Sequence, residues 1–101
     1  MKINAIDDSG KLKEYDVILT YHSDDYNKDY IVYTDNIYNT NNELQIYINE
    51  YNPNDIEVVV KVVSDNEEYD RIKKEIDSIL VSMKNETDIL QNNEWYWYYK
   101  K

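Results

Sequence analysis

The hydrophobic residues of this chain change their spacing once, near Ser64. Before Ser64 they tend to alternate with polar residues, which is typical of strands with one buried face. After it they recur every third or fourth residue, which is typical of an amphipathic helix. A sheet followed by one covering helix predicts an α+β fold. The 101 residues are enough for a single domain with one core.

The alternating part predicts a mostly antiparallel sheet of about five strands. A turn at Gly10 joins the first two strands, because glycine adopts positive φ readily. In the second strand we expect Tyr15, Val17, Leu19 and Tyr21 on one face. The last strand has two apolar faces, which predicts a central position in the sheet. The predicted strands are Lys2–Asp7, Leu12–His22, Asp29–Thr34, Glu43–Tyr51 and Ile56–Val63.

A helix is predicted from Ser64 to Lys84, with Ser64 as its N-cap and Glu67 completing a capping box. Its apolar stripe should pack on one face of the sheet, because nothing else in the chain could cover it. Replacing Ile76 by alanine should then cost about 2–5 kcal/mol, and replacing its polar neighbour Asp77 less than about 0.5 kcal/mol. The stripe comprises Tyr69, Ile72, Ile76, Ile79, Leu80 and Met83.

Residues 85–101 are predicted to form an aromatic extension of a domain that comprises residues 1–84. The run from Trp95 to Tyr99 has high β propensity and predicts a short C-terminal strand or an extended arm. Aromatic residues in such a run either complete the core or form a surface for a partner or a second copy of the chain. Both alternatives stay open at this point.

Charge limits what the chain can bind. Twenty-one carboxylates and eleven basic side chains give a net charge of -10. Such a field repels nucleic acid and anionic membranes and attracts basic proteins. The absence of cysteine removes disulfides and thiolate metal sites. No segment approaches the roughly 20 apolar residues of a membrane span, and the first residues lack an apolar signal core, so we expect a cytoplasmic protein.

Catalytic and metal-binding patterns are weak in this sequence. Asp25 begins an alternation like that of a calcium loop, but Tyr30 and Asn36 stand where such a loop needs Gly and Glu. His22 and its acidic neighbours include residue types of a catalytic triad, but adjacent residues at a strand end cannot adopt triad geometry. We therefore expect no catalytic residue, no cofactor and no metal, and a protein that is not an enzyme.

Two features instead indicate protein binding, namely the acidic surface and the aromatic run. Carboxylates spaced over a folded sheet can occupy a groove of Lys and Arg that is built for phosphates. Trp and Tyr bury a ring while their polar tip stays wet, which suits interfaces. We expect a basic, nucleic-acid-binding partner protein, and a chain that is a monomer or a homodimer. The residues predicted to contact the partner are Asp24, Asp25, Asp29, Asp35, Glu43, Glu50, Trp95, Tyr96, Trp97 and Tyr98.

A family resemblance is carried by the segments Ile6–Gly10, Tyr15–Tyr21, Tyr30–Tyr33, Glu43–Pro53 and Val60–Glu68. In order and composition they resemble the family called domain of unknown function 1292, which comprises small acidic bacterial proteins. The resemblance extends over roughly residues 3 to 83. Tyr21 departs from a Phe in the family pattern, and that pattern lacks the aromatic run. Because the family has no established activity, the resemblance implies no catalytic residue.

The sequence thus favours a non-enzymatic, acidic protein-binding module. In its most concrete form the hypothesis is an inhibitor, encoded by a phage and directed against host defence, that occupies a basic nucleic-acid-binding surface by charge mimicry. The alternative is a cytosolic housekeeping accessory protein of an uncharacterised bacterial family, with no mimicry.

Overall fold

The computed structural model describes residues 1–6, 9–55, 59–91 and 96–100, the segment 86–91 by its backbone only. The elements in chain order are β1 (Lys2–Ile6), β2 (Leu12–Ser23), β3 (Lys28–Tyr38), β4 (Glu43–Tyr51), α1 (Asn66–Gln91) and β5 (Tyr96–Tyr99). The strands form one sheet in the order β1-β2-β3-β4-β5, with β1 to β4 antiparallel and β5 parallel to β4. The predicted α+β fold is confirmed, with a five-stranded sheet, a helix on one face and a C-terminal strand.

Asparagine takes the backbone conformation that usually calls for glycine. Among the described residues, positive φ angles occur at Gly10 (82°), Asn27 (50°), Asn36 (63°) and Asn42 (63°). Asparagine tolerates this left-handed region better than other residues with a side chain. Asn27 and Asn42 lie at the β2–β3 and β3–β4 turns, whereas Asn36 lies inside β3, where pairing with β4 shifts. The shift lets β3 continue to Tyr38, beyond the predicted end at Thr34.

The face of the sheet under α1 holds the larger hydrophobic cluster. Ile72, Ile76 and Leu80 of the helix are completely buried there. They pack against the even-numbered residues of β3 and β4. The predicted packing of the helix stripe on one face of the sheet is therefore confirmed along most of its length, although Met83 at the end of the stripe is partly exposed. The strand residues in this cluster are Tyr30, Val32, Ile46 and Ile48.

The opposite face of the sheet carries a second cluster, in which Tyr15, Ile31 and Tyr33 are buried. Val17 packs with this cluster, whereas Leu19 and Tyr21 pack on the helix side. The prediction that Leu19 and Tyr21 share one face with Tyr15 is wrong, whereas the prediction for Val17 is confirmed. A bulge at Ile18 interrupts the pairing of β2 with β3. One extra residue reverses the face of every side chain after it.

The predicted strand from Ile56 to Val63 is also wrong for its described part. Residues 59–63 form a single bridge, in which Lys61 exchanges two backbone hydrogen bonds of 2.8 Å with Glu50 of β4. Residues 56–58 lie outside the described residues. The edge of β4 from Glu43 to Ile46 is paired with β5, so the aromatic run supplies the fifth strand. Apolar composition alone could not show which segment takes this edge.

The ends of α1 differ from the prediction. Asp65 caps the helix, because its Oδ1 accepts hydrogen bonds from the backbone N–H groups of Glu67 (2.9 Å) and Glu68 (3.0 Å). The predicted cap, Ser64, precedes it. The helix continues to Gln91, so the boundary predicted after residue 84 falls inside it. Within the described ranges, no helix is long and apolar enough to cross a membrane.

Candidate functional site

The turn between β2 and β3 lies against the first turns of α1. The guanidinium of Arg71 pairs with the Asp25 carboxylate in this turn and lies 5.8 Å from the centre of the Tyr26 ring. Arg71 also reaches Glu75, one helical turn later, at 4.0 Å. Glu75 in turn accepts a hydrogen bond of 2.7 Å from the Tyr21 hydroxyl, which raises the pKa of Tyr21 to about 12. These contacts fix the turn to the helix.

A second cation connects the same end of the sheet to α1. Lys28 pairs with Glu50 at 3.2 Å and with Glu68 at 3.3 Å, so it joins β3, β4 and the helix. Beside it, His22 lies 3.5 Å from a carboxylate oxygen of Asp24 and 3.1 Å from one of Asp29. The side chain of Asp24 is fully exposed.

We call this region the acidic end. It comprises six carboxylates that, among the described residues, form ion pairs with two lysine or arginine side chains and one histidine. With His22 neutral, the charge of this set is six negative and two positive, or -4. Because counter-charges are few, the region keeps a negative field at its surface. Its members are Asp24, Asp25, Asp29, Glu50, Glu68 and Glu75, with Lys28, Arg71 and His22.

The acidic end has an inner and an outer layer. In the inner layer, the buried hydroxyl of Tyr30 donates a hydrogen bond of 2.6 Å to Glu68. Burial, and then this hydrogen bond, raise the pKa of Tyr30 well above its usual value. The hydrogen bonds to Glu50 and Glu68 raise the pKa of Lys28. These groups hold the fold together, whereas the outer carboxylates of Asp24 and Asp25 face solvent.

Two of the six acidic residues that were predicted to contact the partner lie away from the acidic end. The Asp35 side chain is only 3% exposed and lies 3.8 Å from Lys13. It accepts hydrogen bonds from Gln45 (2.9 Å) and the Tyr47 hydroxyl (2.8 Å), so its carboxylate is not available to a partner. Glu43 begins β4 at the opposite end of the sheet, roughly 30 Å along the strands from Asp29. It accepts a hydrogen bond of 2.8 Å from Asn39.

The aromatic run divides between the two faces of the sheet. Trp97 and Tyr99 pack against the cluster under α1. Tyr98 points to the other face and donates a hydrogen bond of 2.5 Å to Gln45. Tyr96 is half exposed, with the Lys84 ammonium 3.6 Å from the centre of its ring. Trp95 lies outside the described residues. Trp97 and Tyr99 thus contribute to the core.

Asp77 attaches the last strand to the helix. Its Oδ1 accepts a hydrogen bond of 2.9 Å from the Trp97 indole and another from the Tyr99 hydroxyl. Burial, and then this hydrogen bond, raise the pKa of Tyr99 well above its usual value. The expectation that Asp77 is an inert surface residue does not agree with these contacts, because β5 covers the part of the helix where Asp77 lies.

A groove lies mainly on the face of the sheet opposite α1, although its lining extends to Ile48, Val63 and Tyr69 of the cluster under the helix, and we call it the tyrosine groove. Its floor contains Tyr15, Tyr33 and Tyr47. The Tyr15 ring meets the other two edge-on, at 5.1 Å and 5.9 Å between ring centres, and Tyr33 stacks on Tyr47 at 5.1 Å. The cavity has a volume of about 760 Å³. Burial raises the pKa of Tyr33 to about 12.

The rim of the tyrosine groove is apolar and exposed. It includes side chains from the β1–β2 hairpin, from β3 and from the segment 59–63, and these are 46–68% exposed. Single exposed apolar residues are ordinary, but a group around one concave surface is typical of a contact site. The five rim residues are Ile6, Leu12, Ile37, Val59 and Val62.

The groove was not predicted from the sequence, although the sequence contains a signal for it. In β4, Tyr47 and Tyr51 are opposite in phase to the aliphatic residues of the strand, and they pack with Tyr15 and Tyr33. Counting the tyrosines of β4 as face-forming residues would have indicated a second apolar face for that strand. Among the described residues, no group of three or more histidine and acidic side chains is placed to hold a metal ion.

Comparison with known proteins finds relatives in two bacteria. A UPF0473 protein of Leuconostoc mesenteroides is 32% identical over 83 residues, which cover 78% of this chain and 84% of that protein. A UPF0473 protein of Bacillus pumilus is 27% identical over 81 residues, which cover 78% of this chain and 85% of that protein. Neither name is that of an enzyme. No family model and no solved structure matches the chain, so the resemblance to domain of unknown function 1292 stays a prediction.

Proposed function

This chain belongs to the UPF0473 protein family, and from its surface chemistry we propose that it is a non-enzymatic, acidic module that binds a basic surface of a partner protein. The partner we propose is a nucleic-acid-binding protein, because its Lys and Arg side chains are already arranged to meet spaced negative charges. The chain then acts by occupying or covering that surface.

The acidic end is the observation that carries the proposal. Its outer carboxylates stand on a turn that Arg71 and Lys28 fix to the helix. Charges on a fixed turn lose less conformational freedom on binding than charges on a flexible tail, so more of their attraction remains as affinity. Asp35 no longer belongs to the proposed contact set, because its carboxylate is buried.

Two forms of this function differ in their biological role. One is an inhibitor that competes with nucleic acid, and the other is an accessory protein that binds the same basic partner without displacing nucleic acid. The relatives come from Leuconostoc and Bacillus, which favours an accessory role in the bacterial cell over a phage-encoded inhibitor. Competition with nucleic acid for the isolated partner distinguishes the two forms.

The test is a pull-down from a lysate of a low-GC bacterium, at low and at high salt, with three versions of the chain. The wild type should retain a basic nucleic-acid-binding protein at low salt and release it at high salt, because salt screens contacts between exposed charges. Reversal of the outer carboxylates, Asp24→Lys with Asp25→Lys, should abolish retention.

The matched control reverses two carboxylates of β2, Glu14→Lys with Asp16→Lys. These residues are also exposed carboxylates with a cationic neighbour, Lys2, and the change in net charge is the same. The control should retain the partner, since Glu14 and Asp16 do not belong to the acidic end. Equal retention by both variants, or the absence of any basic protein from the wild-type pull-down, would overturn the proposal. Thermal melts establish that all three chains are folded.

A further inference from the structure

Hydrogen bonds within the chain hold the polar groups in the floor of the tyrosine groove. The Tyr47 hydroxyl donates to Asp35 and accepts from the Gln45 amide at 2.7 Å, while Gln45 also accepts from Tyr98. The Tyr33 hydroxyl donates to Asn49. Because these polar tips are paired within the chain, and Tyr15 and Tyr33 are only 5% and 6% exposed, a ligand meets mainly the partly exposed Tyr47 ring and the apolar rim. A preorganised aromatic floor suits apolar side chains and lowers the entropic cost of binding.

The volume and the rim of the groove are consistent with a ligand that inserts apolar side chains. A volume of about 760 Å³ lies within the roughly 300–1,000 Å³ range of ligand pockets. The exposed rim side chains, including Leu12 on one side and Val62 on the other, would be removed from water by a ligand that fills the groove. The carboxylate of Asp35 is already paired with Lys13 in the floor, so an ionic ligand group is not required there.

The net charge of the chain indicates which kind of molecule could place apolar side chains in the groove. Two copies that each carry a net charge of -10 repel each other, which disfavours a second copy as the occupant. The rim residue Val62 is three residues from Asp65, a span of at most about 11 Å. Asp65 and Glu67 are exposed at the start of α1, beside the acidic end. Lys100 and Lys13, which is paired with Asp35, also line the groove, so a basic segment is complementary to the start of α1 and not to the groove itself.

We propose that the tyrosine groove receives apolar side chains from a basic segment of the partner protein, whose flanking Lys or Arg side chains lie along the start of α1. This inference rests on the proposed function and adds the anchor that a purely electrostatic contact lacks. Exposed charges govern the rate of encounter, whereas buried apolar anchors govern dissociation.

The test uses two short synthetic peptides as probes, one alternating Leu with Lys and one alternating Ser with Lys, each titrated into the full chain by calorimetry. The Leu peptide should bind at least about tenfold more tightly than the Ser peptide. Two-dimensional NMR should show that it perturbs the Tyr15, Tyr33 and Tyr47 ring signals.

Rim variants locate the contact. Val62→Ser and Leu12→Ser should each remove most of the advantage of the Leu peptide and leave binding of the Ser peptide unchanged. The matched control is Val81→Ser, an exposed valine of α1 that does not line the groove. All three positions are exposed, so the variants should melt like the wild type.

The outcomes separate this inference from the proposed function. Equal affinity for the two peptides, or equal loss in the Val62 and Val81 variants, would overturn the groove inference and leave charge-driven binding in place. Binding of neither peptide would overturn both. A wild-type dimer in sedimentation experiments that Val62→Ser dissociates would assign the groove to a second copy and overturn the basic occupant.

Discussion

At the scale of single residues, Asp77 shows what a helix pattern leaves out. Its spacing places it beside the apolar stripe, where an acidic residue normally faces solvent. In the structure it accepts hydrogen bonds from Trp97 and Tyr99, which follow it by about twenty residues and belong to another element. A periodicity describes one element at a time, so a contact between two elements is outside its reach.

Asp77→Ala should therefore destabilise the chain by about 1–3 kcal/mol, because it removes the carboxylate that accepts from the Tyr99 hydroxyl and from the Trp97 indole, which keeps its hydrogen bond of 3.2 Å to Tyr99. The matched control is Asp70→Ala on the same helix, at an exposed position, which should cost less than about 0.5 kcal/mol. Urea unfolding followed by circular dichroism measures both. Equal costs would show that the contact of Asp77 with β5 contributes no stability.

At the scale of elements, the sequence predicted the first four strands and the helix because each has a regular hydrophobic period. It misplaced the fifth strand. Residues 59–63 and the aromatic run both have high β propensity, and only tertiary pairing decides that β5 takes the edge of β4. The bulge at Ile18 was also invisible, since a single inserted residue leaves the composition of the strand unchanged. The turn between β2 and β3 was predictable from its residues, but its attachment to α1 by Arg71 was not.

The start of α1 offers a direct test at this scale. Asp65→Ala should cost about 1 kcal/mol, because it removes the acceptor for two backbone N–H groups and a negative charge at the positive end of the helix dipole. Ser64→Ala, one residue earlier, should change the free energy of unfolding by less than about 0.5 kcal/mol. Denaturant titration of both variants checks the assignment. A larger loss for Ser64→Ala would restore the cap predicted from sequence.

At the scale of the whole molecule, the buried tyrosines make the stability of the folded state depend on pH in the alkaline range. Tyr30, Tyr47 and Tyr99 are joined to carboxylates, and burial raises the pKa of each above its unfolded value near 10. A raised pKa means that the unfolded chain loses its tyrosine protons first. The resulting stability is complete below about pH 10 and is lost as the pH rises through the folded pKa values.

Alkaline titration should therefore unfold the chain cooperatively above about pH 10. The rise in tyrosinate absorbance should coincide with the loss of circular dichroism, because several buried hydroxyls ionise only when the sheet opens. The negative charge that the chain gains as tyrosines ionise also destabilises the folded state, because the chain is already acidic and its charges repel one another. Tyrosinate absorbance that rises to completion while the dichroism stays constant would contradict the burial of these rings.

The proposed function requires that the acidic end is the first point of contact with a basic partner. The direct measurement is the association rate constant with that partner as a function of ionic strength. The rate for the wild type should fall steeply with salt, and the Asp24→Lys, Asp25→Lys chain should associate slowly with a flat dependence. The Glu14→Lys, Asp16→Lys chain should keep most of the wild-type slope. Equal slopes for the two variants would mean that net charge alone guides the encounter, and would contradict the account.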